Sequence, residues 1–62
     1  MEKKYSIKVE AGPAEDEAVF VFFIPVSENS EPDALATAES TARAMLGPEN
    51  KKFFRVSVDY VN

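Results

Sequence analysis

The sequence contains neither cysteine nor histidine among its 62 residues. That excludes disulfide staples, thiolate or imidazole metal sites, and nucleophilic catalysis built on Cys/His or Ser/His pairs. Glycine is scarce as well. The two present, Gly12 and Gly47, each precede a proline, where turns account for them, and they cannot form a phosphate-binding loop. The longest apolar run covers nine residues, Ala18 to Val26, about half of the roughly 20 that a membrane helix needs. Positive charge is missing from the whole middle of the chain. From Val9 to Ala42 there are eight acids (Glu10, Glu15, Asp16, Glu17, Glu28, Glu31, Asp33, Glu39) and no Lys or Arg. The remainder carries seven bases against Glu2, Glu49 and Asp59, so the net −4 hides a bipolar chain. An acidic middle disfavours non-specific nucleic-acid binding and suits a basic patch on a protein. The polar start Glu2-Lys3-Lys4 does not resemble a signal peptide, and the lack of cysteine fits a reducing compartment. The expectation is a soluble cytoplasmic protein.

The apolar run is the most informative stretch present. Its residues are mostly β-branched or aromatic, which favours a strand. Alternation then puts Val19, Val21 and Phe23 on one face and Phe20, Phe22 and Ile24 on the other. Both faces call for burial. A chain of this length forms one domain, residues 1–62, and buries only about 60% of its unfolded surface. With one convincing helix it can cover one face of a sheet, which leaves the other for a partner.

In chain order, Lys3 to Glu10 alternates cleanly: Tyr5, Ile7 and Val9 to one side, Lys4, Ser6, Lys8 and Glu10 to the other. Ala11-Gly12-Pro13 and the acids after it make a connection short enough for a hairpin into Ala18–Val26. Pro25 cannot donate to a ladder, so this strand belongs at a sheet edge or ends there. Ser27 to Pro32 is turn-rich. Ser30, three residues before Asp33, reads as a capping box, with Glu31 favourable at the positive helix end. The helix is expected to run to about Leu46, with Gly47 as its C′ stop and Pro48 blocking continuation. Its apolar face is Leu35, Ala38, Ala42, Met45 and Leu46, with Ala34, Ala36 and Ala44 adding propensity. A last strand spans about Lys52 to Val61, with Phe54, Val56, Val58 and Tyr60 apolar and Phe53, Arg55, Ser57, Asp59 and Val61 on the mixed side. The predicted fold class is α+β: a β-β-α-β chain with a three-stranded antiparallel sheet and one helix on one face. Strand order 2-1-3 is favoured. With the second strand central instead, the second and third would be parallel through a right-handed crossover.

No residue pair has a spacing that suggests catalysis, although carboxylates and tyrosines could in principle transfer protons. The run Glu15-Asp16-Glu17 lacks the spaced oxygens and turn glycine of a calcium loop and reads as a solvated hairpin tip. Lys51-Lys52-Phe53-Phe54-Arg55 mixes bases and aromatics, as a single-stranded nucleic-acid site would. The plainer reading is a core Phe54 flanked by solvated bases, and one short cluster releases few counterions. Met45 likewise reads as core.

One resemblance emerges from these residues. Lys3-Lys4-Tyr5, Val9-Glu10, Ile24-Pro25-Val26, Ser30, Asp33-Ala34-Leu35 and Ala38-Glu39 fall in an order that resembles the small acidic inhibitors of bacterial RNA polymerase made by T7-like phages. The likeness spans residues 3 to about 39, and the last strand agrees in layout. It implies a β-β-α-β fold and a non-enzymatic protein that acts by occupying a host protein. That family contacts polymerase through arginines in its last strand. The nearest positions here are Ser57 and Asp59, which leaves only Arg55.

The expected function is therefore a small acidic protein-binding module without cofactor; the resemblance implies a phage-encoded inhibitor or modulator of a host protein. The candidate partner-binding residues are Glu15, Asp16, Glu17, Phe20, Phe22, Ile24, Glu28, Glu31, Asp33 and Arg55. Two alternatives stand beside it: a homodimer that pairs its second strands into a six-stranded sheet, and a single-stranded nucleic-acid binder through Lys51 to Arg55.

Overall fold

A computed structural model describes residues 2–15 and 18–62; Asp16 and Glu17, two of the candidate residues, lie outside them. The elements are β1 (Lys3–Gly12), β2 (Phe20–Glu28), α1 (Glu31–Met45), a short 3-10 helix (Pro48–Asn50) and β3 (Phe53–Val61). The strands form one antiparallel sheet in the order β2-β1-β3. The fold is the expected α+β arrangement, with β1 central and β2 and β3 at the edges.

β1 sets the polarity of the sheet. Tyr5, Ile7, Val9 and Ala11 are buried, while Lys4 is exposed and Ser6, Lys8 and Glu10 are only partly covered. The helix lies over the buried side. Ala34, Ala38 and Ala42 are all fully buried at i, i+4 steps, so the helix backbone comes close to the sheet. Around this contact pack Phe22, Val26, Leu35, Phe54, Val56 and Val58. The buried stripe runs 34-38-42 and continues to the half-buried Leu46. Met45, expected in the core, falls beside that stripe and is 64% exposed, whereas Ala34, expected to serve only helix propensity, is core.

The helix ends were legible in part. Ser30 is the N-cap, and its hydroxyl oxygen accepts from the Asp33 N–H at 3.4 Å. Pro32 sits in the first turn, where its missing N–H costs nothing. At the other end, Gly47 is not the left-handed C′ residue expected. Its φ is −70°, the extended backbone that the following Pro48 imposes. Proline stops this helix, and the Lys51 ammonium donates to the Arg43 carbonyl at 3.1 Å, satisfying one of the last-turn acceptors.

Three strand boundaries moved, one of them the start of β2, which is Phe20 rather than Ala18. β1 continues through Ala11 and Gly12, and β2 extends to Glu28, because each keeps pairing with its neighbour: Ala11 with Phe20 and Phe54, Lys3 with Glu28. β3 contains a bulge. Ser6 pairs with Tyr60 and Ile7 with Val58, which leaves Asp59 as the extra residue. The bulge inverts the faces after it. Tyr60 joins Ser6 on the side away from the helix, and Val61 joins Tyr5 on the helix side, the reverse of strict alternation.

Candidate functional site

Pairing with β1 decides which side of β2 is buried. Val26, Ile24, Phe22 and Phe20 stand opposite Tyr5, Ile7, Val9 and Ala11, and so face the helix. The other set, Pro25, Phe23 and Val21, stands opposite Ser6, Lys8 and Glu10 and receives no cover. Phe23 and Val21 are 51% and 52% exposed, and Val19, just before the strand, is 53% exposed.

The open face therefore has three stripes. β2 contributes Val21, Phe23 and Pro25. The middle strand contributes Lys4, Ser6, Lys8 and Glu10. β3 contributes Phe53, Arg55, Ser57 and Tyr60, the last 62% exposed. Rows across the sheet join Val21, Glu10 and Arg55; then Phe23, Lys8 and Ser57; then Pro25, Ser6 and Tyr60.

One ion pair organises the β3 side of this face. The Arg55 guanidinium donates from Nη2 and Nε to the same Glu10 oxygen, Oε1, at 2.7 and 3.0 Å. It also stands 5.7 Å from the centroid of the Phe53 ring. The Arg55 hydrogen bond, opposed by partial desolvation and helped by the charges of Arg55 and Lys8, holds the Glu10 carboxyl below the usual glutamate range.

The structure does not gather the candidate residues into one site. Phe22 and Ile24 pack into the core, and Phe20 lies on the same helix-facing side at its margin. Alternation left the two sets of β2 equivalent; of the candidates Phe20, Phe22 and Ile24, the last two are covered by the helix, while Val21 and Phe23 are uncovered. Glu28, Glu31 and Asp33 sit around the start of the helix, away from the apolar stripe. The Glu28 carboxylate accepts from the Thr37 hydroxyl at 2.8 Å, and Glu31 and Asp33 complement the helix N-terminus. Glu15 is exposed in the hairpin connection. Arg55 is the one candidate on the open face.

The basic and aromatic start of β3 is occupied within the chain. Lys51 caps the helix, and Phe54 packs under Arg43, whose guanidinium carbon is 4.4 Å from the ring centroid. Arg55 is held by Glu10. These partners leave Lys52 as the remainder of that cluster; Phe54 packs against the core as the plainer reading expected, while Lys51 and Arg55, expected to be merely solvated, are engaged within the chain.

Among the described residues no cleft or cavity is found and no group of acids is placed to hold a metal ion. No helix is long and apolar enough to cross a membrane. In comparisons with known proteins, no family model matches the chain, and no curated protein or solved structure shows significant similarity to it. The class in hand is thus defined by architecture: a β-β-α-β domain whose sheet is covered on one side only.

Proposed function

We propose that this chain is a non-enzymatic protein-binding module whose docking surface is the open face of the sheet. The observation that carries the reading is the pair Val21 and Phe23, each about half exposed on one side of an ordered strand, with Val19 equally exposed just before it. Single exposed apolar residues are ordinary, but Val21 and Phe23 on one face beside Pro25, with Val19 exposed at the strand's start, form a patch of the kind that marks an interface. The acids at the helix start and hairpin act as a second, electrostatic element that orients a basic partner surface as it approaches.

The resemblance to phage inhibitors of bacterial RNA polymerase directs the search for a target toward host proteins with a basic surface. Because Arg55 is tied to Glu10 within the chain, the reading places more weight on the apolar stripe than on arginine contacts. The test is to compare protein associations of the wild type with those of a Val21→Lys/Phe23→Lys variant and a Glu31→Lys/Asp33→Lys variant. The expected result is that the first loses association with any partner, self or foreign, and the second weakens it with shallower salt dependence, because the attraction that salt screens has been removed. If the Val21/Phe23 variant, still folded by circular dichroism, kept every association, the open face would not be the docking surface.

A further inference from the structure

We infer that the open face docks onto a second copy of the chain, face to face, about a two-fold axis that crosses the strands at the level of Val9. The inference rests on the proposal that this face is a docking surface and names its occupant. It follows from the order of residues along the three stripes. A two-fold axis across the strands lays β1 on the partner's β1, β2 on its β2 and β3 on its β3, each running in the opposite direction.

Placed at the Val9 row, this axis sets Lys8 opposite the second copy's Glu10, and Glu10 opposite its Lys8. In the β2 stripe it brings Phe23 over Val21. In the β3 stripe it brings Tyr60 over Phe53 and Ser57 over Arg55, because Tyr60 shares its row with Ser6 and Phe53 with Gly12. Apolar groups thus meet at Phe23–Val21 and Tyr60–Phe53, the polar Ser57 meets Arg55, and the charged middle is complementary to itself. The bulge at Asp59 is what places Tyr60 on this face at all.

Two other arrangements fit less well. An axis parallel to the strands would oppose Lys8 to Lys8 and Glu10 to Glu10. Pairing β2 edge to edge into a six-stranded sheet would join the two apolar stripes side by side and leave both uncovered. Packed sheets lie about 30° apart, so the contacts are tightest near the axis, at Lys8, Glu10, Val21 and Phe23. Three strands of nine or ten residues make a planar footprint of about 450 Å², from roughly 3.3 Å per residue and 4.8 Å between strands. Standard interfaces bury about 800 Å² per partner, so this face is small and the dimer is expected to be weak.

The experiment is sedimentation equilibrium of the wild type, of Lys8→Glu, of Glu10→Lys, and of an equimolar mixture of the two variants. The wild type is expected to be dimeric at high micromolar concentration, and each variant to associate at least about tenfold more weakly, since each opposes like charges twice. The mixture should recover the dimer, because the variants' charges complement each other at both contacts. Circular dichroism checks that each variant is folded, and Phe23→Thr, which leaves the charges in place, should weaken the dimer independently. A wild type that stays monomeric throughout, or a dimer indifferent to all these changes, would overturn the inference. A monomer that lost a foreign protein on Val21→Lys/Phe23→Lys would overturn the second copy alone and leave the docking face standing. A monomer whose face bound single-stranded oligonucleotide in a salt-dependent way would overturn both.

Discussion

The two faces of this sheet use the same three strands and end in opposite conditions. On the helix side, Ile7 and Val9 have no exposure, and three alanines bring the helix close above them. On the far side, Val21 and Phe23 of an equally apolar strand stand half in water. The difference comes from the neighbour of β2 rather than from β2 itself. The central strand alternates apolar and polar, so only one of its sides can be roofed, and register carries that choice across to β2. An ambiguous strand takes its orientation from an unambiguous one.

The sharpest way to break the comparison is on the covered face. Ile7→Ala is expected to cost about 3 kcal/mol, through lost burial plus a cavity the helix cannot fill. Set against a stability of about 5 kcal/mol for a small domain, it should lower the urea midpoint far more than any open-face change. Ala38→Leu is next. Its Cβ lies where the helix approaches the sheet, and the added side chain must lift the helix, at about 2 kcal/mol by the same measurement.

Phe23→Thr, on the open face, should change the stability of the isolated chain by no more than about 0.5 kcal/mol. An effect as large as that of Ile7→Ala at dilute concentration would erase the distinction between the faces. Deleting Asp59 should also be mild, within about 1 kcal/mol, because removing a bulge residue restores alternation while Tyr60 and Val61 keep their present sides. Deletion of Ser57 has no such compensation, and comparing the two deletions by denaturation checks the bulge.

Arg55→Met gives the smallest effect and the most specific one. Glu10 has a lowered pKa in the folded chain, so the stability it contributes is present above the ordinary glutamate pKa and is lost as pH falls through the folded value. Without Arg55 the Glu10 carboxyl should titrate higher, followed by its side-chain NMR shift. The loss of stability on acidification should then become shallower in that window. An unchanged titration would mean that the Arg55 contact does not persist in solution.

Much of the fold was legible. The period-2 pattern of β1, the Ser30 start of the helix and Pro48 at its end gave element order and type. The charged flank of β1 together with Pro25 pointed to a central first strand. The site was less legible. Phe20, Phe22 and Ile24 look as available as Val19, Val21 and Phe23 when β2 is read alone, and only pairing with Val9 and Ile7 separates them. Met45 sits at a plausible apolar position, yet the buried stripe passes through Ala34 instead, since close approach to the sheet selects the smallest side chains. The faces of Tyr60 and Val61 were inverted by a bulge that no local residue announces.

The sequence by itself determined the element order and the wet side of β1, because those follow from side-chain chemistry and local period. Tertiary structure alone decided which apolar face of β2 stays open, that Arg55 closes on Glu10 from forty-five positions away, and that Tyr60 turns to the same side as Phe53. Each depends on register between strands distant in sequence, and register is fixed by the best simultaneous burial of all three strands under one helix.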